Sequence, residues 1–425
     1  MPTKPIAAVR AEEILDSRGN PTLAATVTLA DGTQGRAAAP SGASTGALEA
    51  VERRDGDPSR YRGRGVIGAV AAVEGEIAAA LLGRDARDQA GIDHSLVALD
   101  GTPGRSRLGG NAIVAVSMAV ARAAAAAHDL PLYLWLGGCD ARRLPMPMMN
   151  VLNGGKHADS GLAFQEFMVV PVGAASFAEA LRWGAETYQA LRDVLHEGGH
   201  SVAVGDEGGF APRLAGDENA CEAIVTAIAR AGYRPGQDIA IALDPAATSF
   251  HSGGAYDLSR SGKGRLDAAG MTALYGDWVA RYPIVSIEDG LAEDDWDGFS
   301  AHTAALGATV QVVGDDLYVT NTDLIRRGIA EHSTNAVLIK PNQVGTVTET
   351  LAAVALCRRA GWGFVVSHRS GETEDAFIAD LAVALGGGQI KAGAPARGER
   401  VAKYNRLLSI ERELGAAALF TNPYF

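Results

Sequence analysis

The chain has 425 residues, 47% hydrophobic and 21% charged, with 38 Lys and Arg against 50 Asp and Glu for a formal net charge of -12. That length exceeds what one hydrophobic core usually serves, so two domains are expected. The acidic balance, without a Lys/Arg cluster interleaved with aromatics, argues against a nucleic-acid partner. The three scattered cysteines, Cys139, Cys221 and Cys357, form no CxxC pair and read as reduced intracellular thiols.

In chain order, the opening MPTKPIAAVRAEEILDSRGN places Arg10, Glu12 and Glu13 where a signal peptide would be apolar, so a cytoplasmic location is expected. TLAATVTLADG (Thr22 to Gly32) alternates as a strand does, and VIGAVAAVEGEIAAALLG (Val66 to Gly83) is Ala-rich and helical. The most apolar stretch, Ala112 to Gly138, is interrupted by Arg122, His128, Asp129 and Pro131, too soon for a membrane span of about 20 residues. It reads as a buried helix, and no membrane partner is expected. Residues 1–138 are therefore expected to form a smaller N-terminal α+β domain.

From about Leu144 the rhythm changes. Apolar runs ending in polar residues alternate with amphipathic helices: FQEFMVVPV, SVAVGDEGG, IAIALD, PIVSIED, VQVVGDD, NAVLIKPNQ, FVVSHRSGE and QIKAG. Ser176 is the expected N-cap of one such helix, SFAEALRWGAETYQALRDVLHEGG. About eight such units predict an α/β fold, a TIM-like (β/α)8 barrel over residues 139–425, whose strand ends form the active-site face.

Asp244 ends IALD, Glu288 ends VSIE and Asp315 ends VVGD, which would aim carboxylates from three strands into one mouth. Gathered carboxylates repel one another, and oxygen ligands without Cys or paired His select a hard cation, Mg²⁺ first. Any one of them alone could simply favour the next helix N-terminus; three in register point to a metal. Lys340 in LIKPNQ and Lys391 in QIKAG likewise end apolar strands. A Lys beside Mg²⁺ and a second Lys has its neutral form favoured, as a general base requires. The plainer alternative pairs both lysines with the surrounding acids, and Lys391 can stay charged to hold a substrate carboxylate while Lys340 takes a proton.

Glu207 in VGDEGGF and Glu166 in FQEF supply carboxyl groups outside the metal set, suited to protonating a leaving hydroxyl. His157 in NGGKHAD and His368 in SHRSGETED sit on Gly- or Ser-rich turns, which favours site roles over core packing. Arg369 and Ser370 follow His368 and suit a phosphate. PSGASTG, Pro40 to Gly46, could close over an anionic ligand and offer Ser44 to a second metal ion. Two motif matches are rejected. The GxGxxG of Gly63, Gly65 and Gly68 follows a charged turn rather than a strand, and the HExxH of His196, Glu197 and His200 is broken by Gly198 and Gly199.

Taken together, DSRGNPT, PSGASTG, NGGKHAD, GDEGGFAP, SIEDG, VGDDL, NQVGT, SHRSGETED and GAPARGERVAKYN resemble the enolase family, in order and across nearly the whole chain. The resemblance implies an N-terminal α+β domain packed on a barrel whose first units depart from strict βα alternation, assembled as a homodimer or a higher multiple of dimers. It implies reversible dehydration of 2-phosphoglycerate to phosphoenolpyruvate with two Mg²⁺ ions per site, the second arriving with the phosphorylated carboxylate substrate. On that resemblance Asp244, Glu288 and Asp315 would hold the first ion and Ser44 would join the second. Lys340 would take the C2 proton, and Glu207, assisted by Glu166, would release the C3 hydroxyl. His157, Gln165, Lys391, His368, Arg369 and Ser370 would complete the substrate shell. In this superfamily a Lys or His base works with Mg²⁺ that stabilises the ene-diolate. Pro245, Ser249 and Ala392, and the segment SGLAFQEF, depart from the usual family pattern. They leave open an enolase-like alternative, a carboxyphosphonoenolpyruvate synthase of phosphonate antibiotic biosynthesis that runs the same elimination on a phosphono-carboxylate.

Overall fold

The computed structural model describes residues 3–43, 45–158 and 160–424. The chain opens with an antiparallel meander of β1 (Ile6–Leu15), β2 (Pro21–Leu29) and β3 (Gln34–Ala38), with Ala25 opposite both Ala11 and Ala37. The Ala-rich helix Gly110–Ala126 lies on β2 and β3, buried along almost its whole length as its composition implies. Small residues permit that close approach: a Cβ at Gly35 would collide with the Ala119 carbonyl.

Eight strands then close a barrel: β4 (Met146–Asn153), β5 (Glu166–Val170), β6 (Ala240–Asp244), β7 (Ile284–Glu288), β8 (Gln311–Gly314), β9 (Ala336–Ile339), β10 (Gly363–Ser367) and β11 (Gln389–Lys391). The intervening helices cover it, as the alternating pattern requires. Ser176 caps the helix Phe177–Glu197, its Oγ accepting from the Glu179 amide at 3.1 Å. One strand runs backwards. β5 is antiparallel to both β4 and β6, while every other barrel pair is parallel. This is the departure from βα alternation that the resemblance implies.

One expectation needs correction. SVAVGDEGG is not a barrel strand: residues 201–209 are turns tied to Phe210 by an isolated bridge from Val204. Its place belongs to Met146–Asn153, which is buried at every position. PMPMMNVLN has two prolines and a single one, Val151, of the β-branched residues that advertise a strand. SVAVGDEGG has them, but its Gly-rich second half favours turns.

Below the mouth, Met146, Met148, Met168, Ala240, Ala242, Val313 and Leu338 fill the barrel interior, with Phe420 and Tyr424 of the C-terminal segment packed against them. The barrel is therefore packed rather than hollow, and only its upper end is free for chemistry. No helix among the described residues is long and apolar enough to cross a membrane.

Candidate active site

Because strands β6, β7 and β11 all end at the upper rim, their last residues Asp244, Glu288 and Lys391 face one another there. Lys391 Nζ lies 2.8 Å from Asp244 Oδ2, 2.9 Å from both Glu288 oxygens and 3.1 Å from Glu166 Oε1. Asp315 and Lys340, each the residue after its strand, are ion-paired through Asp315 Oδ2. Glu166 joins this group by the opposite route. It begins β5, and strand reversal sets it directly across from Asp244 on one side and Asn153 on the other.

All of these groups are buried. Burial works to lower Lys391, but Asp244, Glu166 and Glu288 outweigh it and hold the ammonium well above its ordinary range. Lys340 is raised in the same way, with Asp315 outweighing burial. The lysines thus pair with the surrounding acids, the plainer of the sequence alternatives. Burial, followed by Asp244, pushes the Glu288 carboxyl well above the usual range.

The donor set fits a hard cation. Asp244 Oδ2 and both Glu288 oxygens converge within 2.9 Å of one cationic point, and Gln343 Nε2 orients Asp315 through Oδ1 at 3.0 Å. The tightest groupings of ligand atoms are different ones: His157 with Glu166 and Glu207, and Asp289 with Asp315 and Asp316, each within 4.8 Å. Asp289 is already committed, since its two oxygens accept from the amides of Asp315 (2.8 Å) and Asp316 (2.9 Å). It serves to place Asp315.

Across the mouth, Glu207 accepts from Asn150 Nδ2 at 3.1 Å, with His368 Nε2 at 3.4 Å and His157 Nδ1 at 3.7 Å. His157 Nδ1 is also 3.9 Å from Glu166, and its Nε2 meets Ser370 Oγ at 3.2 Å. The two carboxyls are driven apart. Burial, then Glu207, raises Glu166 well above the ordinary range; burial opposes ionisation of Glu207 too, but His368 and His157 outweigh it and hold that carboxyl well below. The surroundings thus favour the neutral form of Glu166 and the charged form of Glu207.

A cavity at this point is lined by His157, Gln165, Glu166, Glu207, Asp244, Asp315, Lys340, His368, Arg369, Ser370 and Lys391. Glu288 completes the set through Lys391. Every described residue that the sequence put forward is therefore brought together; Ser44 lies outside the described residues. Gln165 Oε1, Glu166 Oε2, His157 Nδ1 and both Asn153 side-chain polar atoms are buried here without a hydrogen-bond partner in the protein. Such atoms are rare in protein interiors and mark a place built for polar contacts with a ligand. A larger cleft of about 660 Å³ lies elsewhere, along β1. Its Arg122 and Asp375 already satisfy each other at 2.6 and 2.7 Å.

Several neighbours were not singled out from the sequence. Glu49, on the loop that follows PSGASTG, takes both Arg369 terminal nitrogens at 2.8 and 3.1 Å, so the first domain reaches the guanidinium proposed for phosphate. Asn150 lies in the unread strand. Gln343 stands within NQVGT and Asp289 within SIEDG, motifs whose order was recognised without assigning these members. Arg400, inside GAPARGERVAKYN, has no exposure at all.

Buried lysines facing a split carboxyl pair, at the mouth of a barrel under a small α+β domain, define a barrel enzyme equipped to move protons. The enolase C-terminal TIM barrel domain family matches residues 141–424, and the enolase N-terminal domain family matches residues 6–136. The chain is 62% identical to Enolase 1 of Methylococcus capsulatus, over 98% of this chain and 99% of that protein. It is 60% identical to the enolase of Acidothermus cellulolyticus and 58% identical to Enolase 2 of Pseudomonas syringae pv. syringae, over 98% of this chain and 96% and 97% of those proteins. The chain belongs to the enolase family and is a carbon–oxygen lyase, a hydro-lyase of the phosphopyruvate hydratase type.

Proposed function

We propose that the chain catalyses the reversible, Mg²⁺-dependent dehydration of 2-phosphoglycerate to phosphoenolpyruvate. The observation that carries the reading is the gathering of Lys340, Lys391, Glu166 and Glu207 around one buried cavity. A proton beside a carboxylate is barely acidic, because its removal adds charge to an anionic group. Asp244, Glu288 and Asp315 would hold Mg²⁺, with Ser44 expected to join a second ion, and the bound metal would supply positive charge against that carboxylate. A cation on Asp244, Glu288 and Asp315 would take over the carboxylates that otherwise hold Lys340 charged, and Lys340, then neutral, takes the C2 proton; Lys391 and Gln165 hold the carboxylate end, and the Glu166–Glu207 pair gives a proton to the departing C3 hydroxyl. His157 and His368 orient that pair, while Arg369 and Ser370 take the phosphate.

Full-length matches to named enolases support this substrate over the phosphono-carboxylate of the paralogue. One observation keeps the second reading in view: Ala392, fully buried, adjoins Lys391, the residue proposed to hold the carboxylate. Purified protein given 2-phosphoglycerate and Mg²⁺ should develop enol absorbance; a rate at background from folded protein would overturn the first reading, and turnover of the phosphono analogue would then establish the second. We place the domain boundary between Gly138 and Cys139, and expect a homodimer or higher multiple of dimers in the cytoplasm.

A further inference from the structure

Arg400 stands in the third position of the helix Gly398–Leu414. Its Nη1 donates to the Arg369 carbonyl at 2.6 Å and to His368 Nδ1; its Nη2 donates to the carbonyls of Ser370 (2.6 Å) and Asp206 (3.1 Å). Glu399, 3.3 Å from Nε, gives it a counter-charge. Those carbonyls flank the two partners His368 and Glu207, so one guanidinium ties both chain segments together.

A guanidinium has donors only, so the ring nitrogen it touches must be an acceptor. A neutral imidazole that accepts at Nδ1 carries its proton on Nε2, the atom facing Glu207 Oε2. Protonating Nδ1 would set N–H against N–H. We propose that Arg400 is a positioning residue for the dehydration: it locks His368 as the neutral Nε2–H tautomer, which turns that proton toward Glu207 and never carries the proton that leaves with hydroxide. The charged groups facing the imidazole are Glu207, Arg400 and Glu372. Burial is the largest influence on it, opposed by Glu207 and reinforced by Arg400, and it is pushed down to about 4. The link to turnover rests on the dehydratase reading; the tautomer lock does not.

The test uses the full chain with its nine histidines labelled with ¹⁵N, the His368 resonances being identified by their loss in His368→Gln. Wild-type His368 is expected to stay protonated on Nε2 and bare on Nδ1 from pH ~8 to ~5. Protonation on Nδ1 in that range overturns the lock, and this reading needs no Arg400 variant to fold. Arg400→Met should release a mixture of tautomers and lower kcat ~10- to 100-fold, the usual range for an outer group that orients an active-site imidazole, with little change in KM. Added to His368→Gln, whose amide has no tautomer to choose, the same change should cost less than ~3-fold. An equal loss in both backgrounds makes Arg400 merely structural and overturns the proposal. A locked tautomer in a protein that does not turn over 2-phosphoglycerate overturns the dehydratase reading and leaves the lock standing.

Discussion

The two ends of the barrel are equally buried and use burial in opposite ways. In the interior, Met146, Ala240, Val313 and Leu338 are removed from water and gain by it. At the upper rim of the same barrel, Asp244, Glu288, Glu166, Lys391 and Lys340 are also buried, which is costly for every charge taken singly. The upper end persists because each charge there has a partner, and those partnerships leave it with unspent polar atoms and displaced proton affinities. Stability resides in one end and reactivity in the other.

The sharpest way to break this contrast is at the base. Lys340→Ala should lower kcat by ~10²- to 10⁴-fold, with a smaller loss of stability than removal of Lys391, since one carboxylate rather than three loses a partner; turnover within a few-fold of wild type in the folded protein would remove Lys340 from that role. Lys391→Met strands three acids at once and should destabilise the protein by ~3–5 kcal/mol in denaturant titrations run with EDTA. Added Mg²⁺ should restore part of that loss, and an unchanged midpoint with and without Mg²⁺ would refute the cation site. At the other end, Leu338→Ala should cost ~2–5 kcal/mol of stability with KM intact in the cold.

The smallest effect lies outside both ends. His302, on the helix Trp296–Leu306, is pushed down to about 4 by burial. Its folded value lies below its unfolded one, so its contribution is full above about pH 6.5 and is lost as pH falls from there towards about 4, up to ~3 kcal/mol in all. His302→Gln should flatten the stability curve across that window alone, without altering the pH dependence of turnover.

Much of this was legible in the sequence because charge interrupts hydrophobicity so abruptly. Asp244, Glu288 and Lys391 each close an apolar run, and a closed run in a parallel barrel has only one end to sit at. The rest depends on partners that no run announces. Met146–Asn153 carries Asn150 and was unread because methionine packs a barrel interior without signalling a strand. Glu166 was chosen from FQEF as a polar residue at an apolar run, whereas its place follows from strand direction, which composition does not encode. Glu49 and Arg400 act on Arg369 and His368 across separations of 320 and 32 residues, visible only once the chain has folded.

The reversal of β5 has a consequence for how this mouth can change. Most of its groups sit where a strand departs, so a lengthened loop after them leaves them in place. Glu166 sits where a strand arrives, and the segment delivering it carries His157 and Gln165 as well. Insertions there would carry His157 away from a fixed Glu166, making residues 154–165 the stretch of this rim with the least tolerance for added length.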